Sequence, residues 1–232
     1  MFYKDGVTNI WRNRKEAAKV QQIKNASQYS RAEFQLIRRT KKDFRKLPVF
    51  GLVLAVFGEF TPLIVLLFPV LTPSACYLPR QVNSMRRKSQ ERRDNSFETI
   101  QDFAGKRLGL NIASMPRKYI LHCSNSLGLH SRFIPEFFLP VEWLKHRVDT
   151  YVTGYVSTDD RLILKHGGPS AMDKTELEVS LSERGLNTLN KTQSQMRSDL
   201  NLWLRLHQRP DVHSEILLWR PAQWKTIFNG QK

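Results

Sequence analysis

The chain has 232 residues, with 37 Lys and Arg against 21 Asp and Glu, for a formal charge of +16. That length allows one modest folded domain plus a flanking segment. The charge points to a polyanionic partner, RNA or anionic lipid, or else to a basic organellar protein whose charge is simply solvated. Two cysteines, Cys76 and Cys123, with no CxxC pair, leave no basis for a disulfide framework or a zinc site.

The start lacks the apolar core of a secretory signal, and Asp5 and Glu16 interrupt any transit-peptide pattern. A targeting segment, if one is used, is absent from this sequence or merged with the first basic helix. Thr8 is placed to cap a helix over Asn9–Asn25, with Ile10, Trp11, Ala17, Ala18, Val20 and Ile23 as its apolar members. Ser30-Arg31-Ala32-Glu33 spells a capping box, in which Ser30 and Glu33 each accept from the other's amide. A second helix follows to about Leu47. Arg38, Arg39, Lys41, Lys42, Arg45 and Lys46 make it strongly cationic, and Asp43 offsets little of that. Beside a bilayer such a run sits among lipid phosphates.

Pro48–Pro73 is almost wholly apolar, and Glu59 is its one ionisable residue. About 20 apolar residues cross a ~30 Å hydrocarbon core. This stretch is therefore expected to be a single membrane span, kinked at Pro62, with soluble segments on both sides. A charge at bilayer depth is costly, so Glu59 should face protein or water, or be protonated. It either relays a proton or cation, or packs against other helices with its carboxyl group hydrogen-bonded. Both flanks are basic, with Arg80, Arg86, Arg87, Lys88, Arg92 and Arg93 following the run, so charge does not orient the span.

Beyond the run the pattern is helical. Phe97, Ile100 and Phe103 share a face that Gly105 ends. Pro116 opens a helix that continues over Arg117–Leu127 and closes at Gly128. Pro135 and Pro140 bracket an aromatic-rich linker, Phe133–Phe138. Pro140 opens a helix holding Val141, Leu144, Val148 and Tyr151. Asp159 and Asp160 stand at the start of a short helix to Lys165, either as caps at its positive end or as a cation site. Gly167-Gly168-Pro169 is a stop. A helix from Asp173 or Lys174 carries Leu177 and Leu181 inward and ends at Arg184-Gly185. Thr192 starts the last helix, with Met196, Leu200, Trp203 and Leu204 inward. The last two helices form an αα-hairpin, either like the paired helices that touch nucleic acid or merely packed. The tail after Arg209, with Ile216, Leu217, Leu218, Trp219 and Trp224, is too apolar for free solution. It docks on the domain or on the membrane interface.

No GxGxxG, P-loop, HExxH or GxSxG motif is present, and the six histidines are scattered. Neither an enzyme nor a cofactor is expected. His130 reads as a surface or packing residue.

Phe34-Gln35-Leu36-Ile37-Arg38-Arg39-Thr40-Lys41-Lys42-Asp43, Leu47-Pro48-Val49-Phe50, Gly58-Glu59-Phe60 and Leu67-Phe68-Pro69 resemble the membrane segment of the LETM family. Leu127-Gly128-Leu129-His130-Ser131-Arg132, Asp159-Asp160-Arg161-Leu162-Ile163 with Gly167-Gly168, Leu177 through Arg184-Gly185-Leu186, and Leu200–Leu206 resemble its C-terminal domain. Val179-Ser180 departs from the family's residues there. The chain also has neither a calcium loop nor a heptad array, so it is similar to short, fungal-type members. The resemblance implies a helical, 14-3-3-like ribosome-binding domain facing the mitochondrial matrix.

The expected fold is therefore all-α. Residues 1–47 form a basic helical segment, 48–73 the span, 74–104 a basic helical connector, 105–208 the ribosome-binding domain and 209–232 the tail. The implied function is tethering of the mitochondrial ribosome to the inner membrane, in support of protein insertion and ion and volume homeostasis. The alternative is a potassium–proton exchanger, or a subunit of one, using Glu59 and Pro62. Arg38, Arg39, Lys41, Lys42, Arg86, Arg87, Lys88, Arg132 and Arg184 are the expected contacts to ribosomal RNA or lipid phosphate. The expected partners are the mitochondrial ribosome, inner-membrane lipids and a second copy of the chain, with no metal.

Overall fold

The computed structural model describes residues 2–25, 28–60, 63, 65, 72, 73, 77, 79–101, 109–131, 133–209, 212, 215–224 and 226. Every regular element among them is helical. The chain divides into two units, Met1–Met85 and Arg86–Lys232.

In the first unit, α1 (Phe2–Ile23) packs on α2 (Arg31–Phe57). Trp11 meets the Phe44 ring edge-on at 5.7 Å, and Val7 packs against Phe50 and Val65, so the two helices run antiparallel. The Arg14 guanidinium lies 3.9 Å from the Phe44 centroid. The helix expected from Asn9 begins at Phe2, and Thr8 lies inside it. Gly6, Val7 and Thr8 are poor helix formers, but Val7 and the buried Ile10 gain packing that overrides that preference.

The capping box at Ser30 is present. Ser30 Oγ accepts from the Glu33 amide at 3.3 Å, and Glu33 Oε2 accepts from the Ser30 amide at 2.8 Å. Lys24 Nζ donates to the same carboxylate at 2.7 Å. That bond, then the Ser30 amide, holds the Glu33 carboxyl down at about 2. The helix expected to stop near Leu47 instead runs on through Pro48 to Phe57. An interior proline costs ~3 kcal/mol. Burying Phe50 and Val53, at ~1.5–3 kcal/mol each, offsets that.

The apolar part of α2, Leu47–Phe57, is eleven residues, or about 16 Å of helix at 1.5 Å per residue. Among the described residues no helix is long and apolar enough to cross a membrane. Pro62, Pro69 and most of the apolar run beyond Phe60 lie outside the described residues. Lys46 closes the unit by donating to the Thr72 carbonyl at 2.9 Å and to the Tyr77 hydroxyl at 3.2 Å. Desolvation, helped by the nearby Lys42, lowers the Lys46 ammonium to about 8.

The second unit takes in α3 (Pro79–Thr99) from Arg86 onward, α4 (Arg117–Ser126), α5 (Val141–Asp149), α6 (Ser157–Lys165), α7 (Lys174–Glu183) and α8 (Gln193–His207). The helix read from Ser96 is the last turn of α3, which ends at Thr99; Phe103 and Gly105 lie outside the described residues. Pro116 sits one position before the first residue of α4 rather than at it. Asp173 with Glu176, and Thr192 with Gln195, form the capping boxes that start α7 and α8. Leu177, Leu181, Met196, Leu200, Trp203 and Leu204 face inward as expected. Gly167 and Gly168, with φ of 94° and 70°, make the stop after α6, where an L side chain would be strained.

One break read from the sequence is absent. Between α5 and α6 the backbone continues as a π-helical stretch, Thr150–Val156, with no new start at Asp159. Asp159 and Asp160 therefore cap nothing. Both are buried, where a helix-start carboxylate would be exposed. The tail docks on the domain: Ile216, Leu217, Leu218, Trp219 and Trp224 are all buried, and Trp224 Nε1 donates to the Trp219 carbonyl at 3.2 Å.

Candidate functional site

Asp159 and Asp160 meet Arg184 inside the helical unit. Arg184 donates from Nε to Asp160 Oδ1 at 2.9 Å, from Nη2 to Asp159 Oδ2 at 2.8 Å, and from Nη1 to the Ser180 carbonyl at 2.8 Å. Trp203 Nε1 donates to Asp160 Oδ2 at 3.1 Å, and the His207 ring meets the same oxygen at 2.7 Å. Burial opposes the charged form of Asp160, but Arg184 and His207 outweigh it and hold the carboxyl low. Arg184 in turn is held charged by Asp160 and Asp159 against its own desolvation. The cluster ties α6, the end of α7 and α8 together.

Arg184 is thus a correction to the expected phosphate contacts. It is 1% exposed and its donors are spent on buried carboxylates, so it presents no charge to a partner. Asp159 and Asp160 are framework carboxylates. Among the described residues no group of three or more His, Cys, Asp and Glu is placed to hold a metal.

A second buried guanidinium has no carboxylate among its hydrogen bonds to the described residues. Arg93 donates to the carbonyls of Ser126 at 2.9 Å, Leu186 at 3.1 Å and Ser182 at 2.9 Å. Ser126 ends α4 and Ser182 lies in the last turn of α7, where helix carbonyls carry partial negative charge. Desolvation lowers Arg93 to about 10, which leaves it charged at neutral pH. Arg92 donates to Asn125 Oδ1 at 2.8 Å and to the His130 carbonyl at 3.0 Å. Its Nη2 also reaches His130 Nε2 at 2.8 Å, so that nitrogen accepts and Nδ1–H donates to Ser124 Oγ at 2.7 Å. His130 is a packing residue, lowered to about 4 by desolvation and then by Arg92.

The remaining expected contacts fall into two groups. Arg39, Lys41 and Lys42 are exposed on α2, and Arg38 is half-buried there. On α3, Arg87 and Lys88 are exposed, while Arg86 pairs with Glu178 at 2.8 Å. Arg132 lies outside the described residues. Glu59 is exposed in the turn Gly58–Phe60 that follows α2, and Pro62 lies outside the described residues.

The structure adds a surface that the sequence reading missed. Ser194, Arg197, Ser198, Asn201 and Arg205 form an open polar face on α8. Their spacing of three, four, seven and eleven residues from Ser194 keeps them on one side of the helix. At 1.5 Å per residue the row is about 16 Å long. Arg197 Nη2 donates to the Met172 carbonyl at 3.2 Å, which fixes that side chain. The neighbouring acid, Asp199, is taken up by Lys191 at 2.5 Å. Two arginines among three neutral hydrogen-bonding side chains suit phosphate and sugar oxygens rather than a carbon surface. The signal was legible as an unbroken polar row opposite Met196, Leu200 and Trp203.

Two family models match the chain. One, described as the pentamidine resistance factor domain, matches residues 9–114. The other, described as the LETM1-like ribosome-binding domain, matches residues 103–223, which is more than half of the chain and includes α4 through α8 and most of the docked tail. No solved structure matches it. With a helical unit stapled by buried arginines, a basic outer row and this match, the chain belongs to the LETM1-like ribosome-binding-domain family.

Proposed function

We propose that the chain binds the mitochondrial ribosome through its C-terminal helical unit and holds it at the inner membrane, with that unit in the matrix and no enzymatic activity of its own. The observation that carries the reading is the family match over residues 103–223, on a unit whose α8 presents Arg205 outward with Arg197 half-buried in the same row. The mechanism is tethering: arginines neutralise RNA phosphates while the apolar run anchors the chain. Val49, Leu52, Val56, Phe57, Phe60 and Leu63 are 41–72% exposed, an apolar surface that water alone does not favour and that lipid would cover.

Ribosome co-sedimentation of the full chain tests this. Affinity should fall steeply as salt rises, and Arg205→Glu should weaken binding and flatten the salt slope by about one unit per lost phosphate contact. Binding that is indifferent to salt and to Arg205→Glu overturns the mechanism. Release of the chain by carbonate, or cleavage of the helical unit by protease outside intact mitoplasts, overturns the anchoring or the matrix placement.

Glu59, the single ionisable residue of Pro48–Pro73, favours a second reading as a cation–proton exchanger or a subunit of one. Loss of potassium–proton exchange in Glu59→Gln vesicles, with ribosome binding intact, would select it.

A further inference from the structure

The segment between α4 and α5 is short, irregular and apolar at its tip. Phe133, Ile134, Phe137 and Phe138 are 64%, 42%, 74% and 65% exposed, and Trp143, in the first turn of α5, is 38% exposed. Five large apolar side chains within eleven residues stand outside the core. Meanwhile Leu139 in the same segment is buried, so the loop is fixed at its base.

The loop is built to keep that shape. Arg117 Nη1 donates to the Leu139 carbonyl at 2.8 Å, and Nη2 donates to the Glu136 carbonyl at 2.6 Å. Asn125 Nδ2 donates to the Glu136 carboxylate at 3.1 Å. The amides of Phe138 and Leu139 return to the carbonyls of Pro135 and Glu136. The Phe137 and Phe138 rings lie 4.0 Å apart, side by side. Holding four apolar side chains out of the core on a hydrogen-bonded base wastes burial unless something apolar receives them.

The rim decides what that is. Arg117 stands beside the tip. The Arg147 guanidinium lies 4.9 Å over the Trp143 ring, and Lys145 is on the same helix. Of the acids nearby, Glu136 keeps its charge beside the neutral Asn125, and Glu142 pairs with Lys145 at 3.3 Å. Arg117, Lys145 and Arg147 stand against Glu136 and Glu142, which leaves the rim net cationic by one charge. An aromatic tip flanked by two guanidinium groups suits the boundary of an anionic bilayer, where rings enter the headgroup layer and cations meet phosphates. A protein pocket would need a matching acidic rim.

We infer that residues 133–143 form a membrane-insertion loop, by which the helical unit lies against an anionic lipid surface. This rests on the reading above only in supposing that a bilayer is near. It is separate from the question of whether residues 48–73 cross one.

The test uses the full chain with Cys76→Ser, which leaves the buried Cys123 as its other thiol. A polarity-sensitive fluorophore is placed at Phe137→Cys or, as control, at the exposed Thr175→Cys of α7. Each chain is reconstituted into vesicles of phosphatidylcholine and phosphatidylglycerol, with and without lipids brominated in their acyl chains. The expected result is a blue-shifted emission at 137, quenched several-fold more than at 175 and less so in pure phosphatidylcholine. With the fluorophore at Ile134→Cys, the quenching should vanish when Phe133, Phe137 and Phe138 are all changed to Ser, while helical circular dichroism stays unchanged. Carbonate extraction of the same vesicles reports anchoring separately. Strong quenching with a carbonate-released chain keeps the loop and sinks the span. An anchored chain with equal quenching at 137 and 175 overturns the loop. Shielding of 137 only when ribosomes are added also overturns it, in favour of a ribosomal contact.

Discussion

Residues 1–85 and residues 86–232 differ in how they use buried positive charge. The first unit has 14 Lys and Arg against 5 Asp and Glu, and on α2 Arg39, Lys41 and Lys42 stand in solvent. The second has 23 against 16, and uses Arg93 and Arg184 as internal fasteners. The difference teaches that basic residues in one chain can serve two ends. On α2 they remain available to an external anion. Inside the second unit they are consumed by carboxylates and helix-end carbonyls.

The sharpest way to break this contrast is Arg184→Ala. It leaves two carboxylates buried without a cation and should cost the second unit about 3–5 kcal/mol, measured by urea unfolding. Asp159→Asn with Asp160→Asn added to Arg184→Met removes the charges together and should recover much of that loss. If the triple variant is as unstable as Arg184→Ala, charge compensation is not what the cluster supplies. Arg93→Met leaves three carbonyls without their donor and should cost about 2–3 kcal/mol.

Acid provides a subtler probe. His122 Nε2–H donates to the Leu217 carbonyl at 3.0 Å and Nδ1 accepts from Ser96 at 2.7 Å; desolvation lowers the ring to about 4. His130 lies at a similar value. Because both are lowered on folding, the unfolded chain takes up the protons first. Stability is fully present above about pH 6.5 and is lost as pH falls toward 4. The loss should be about 1–2 kcal/mol per histidine by pH 5, and absent for a chain carrying His122→Gln and His130→Gln. The smallest effect is expected in the first unit, where Ser30→Ala removes one cap for about 1 kcal/mol, read as lost helicity. A larger loss there would mean that this unit, too, depends on a buried polar network.

Local chemistry was legible in the sequence. The box at Ser30, the helix start at Thr192, the glycine stop at Gly167 and the inward row of α8 all depend on residues within a few positions of one another. What was not legible depends on distance. Nothing near Arg184 announces that its carboxylates lie 24 and 25 positions earlier, and the Arg184-Gly185 pair reads as an ordinary helix end. The π-helical stretch was hidden because Asp159-Asp160 looks like a new helix start, whereas the buried Val152, Tyr155 and Val156 carry the helix up to it without a break. The α8 row does not stand out in the sequence because its two arginines are spread over two turns among neutral residues.

The docked tail has a consequence for synthesis. Trp219 and Trp224 fill the interior beside Trp203, yet they are made after every helix they complete. A chain still emerging from the translation machinery therefore carries an unclosed bundle until Trp224 is free. The unit closes only as one finished piece.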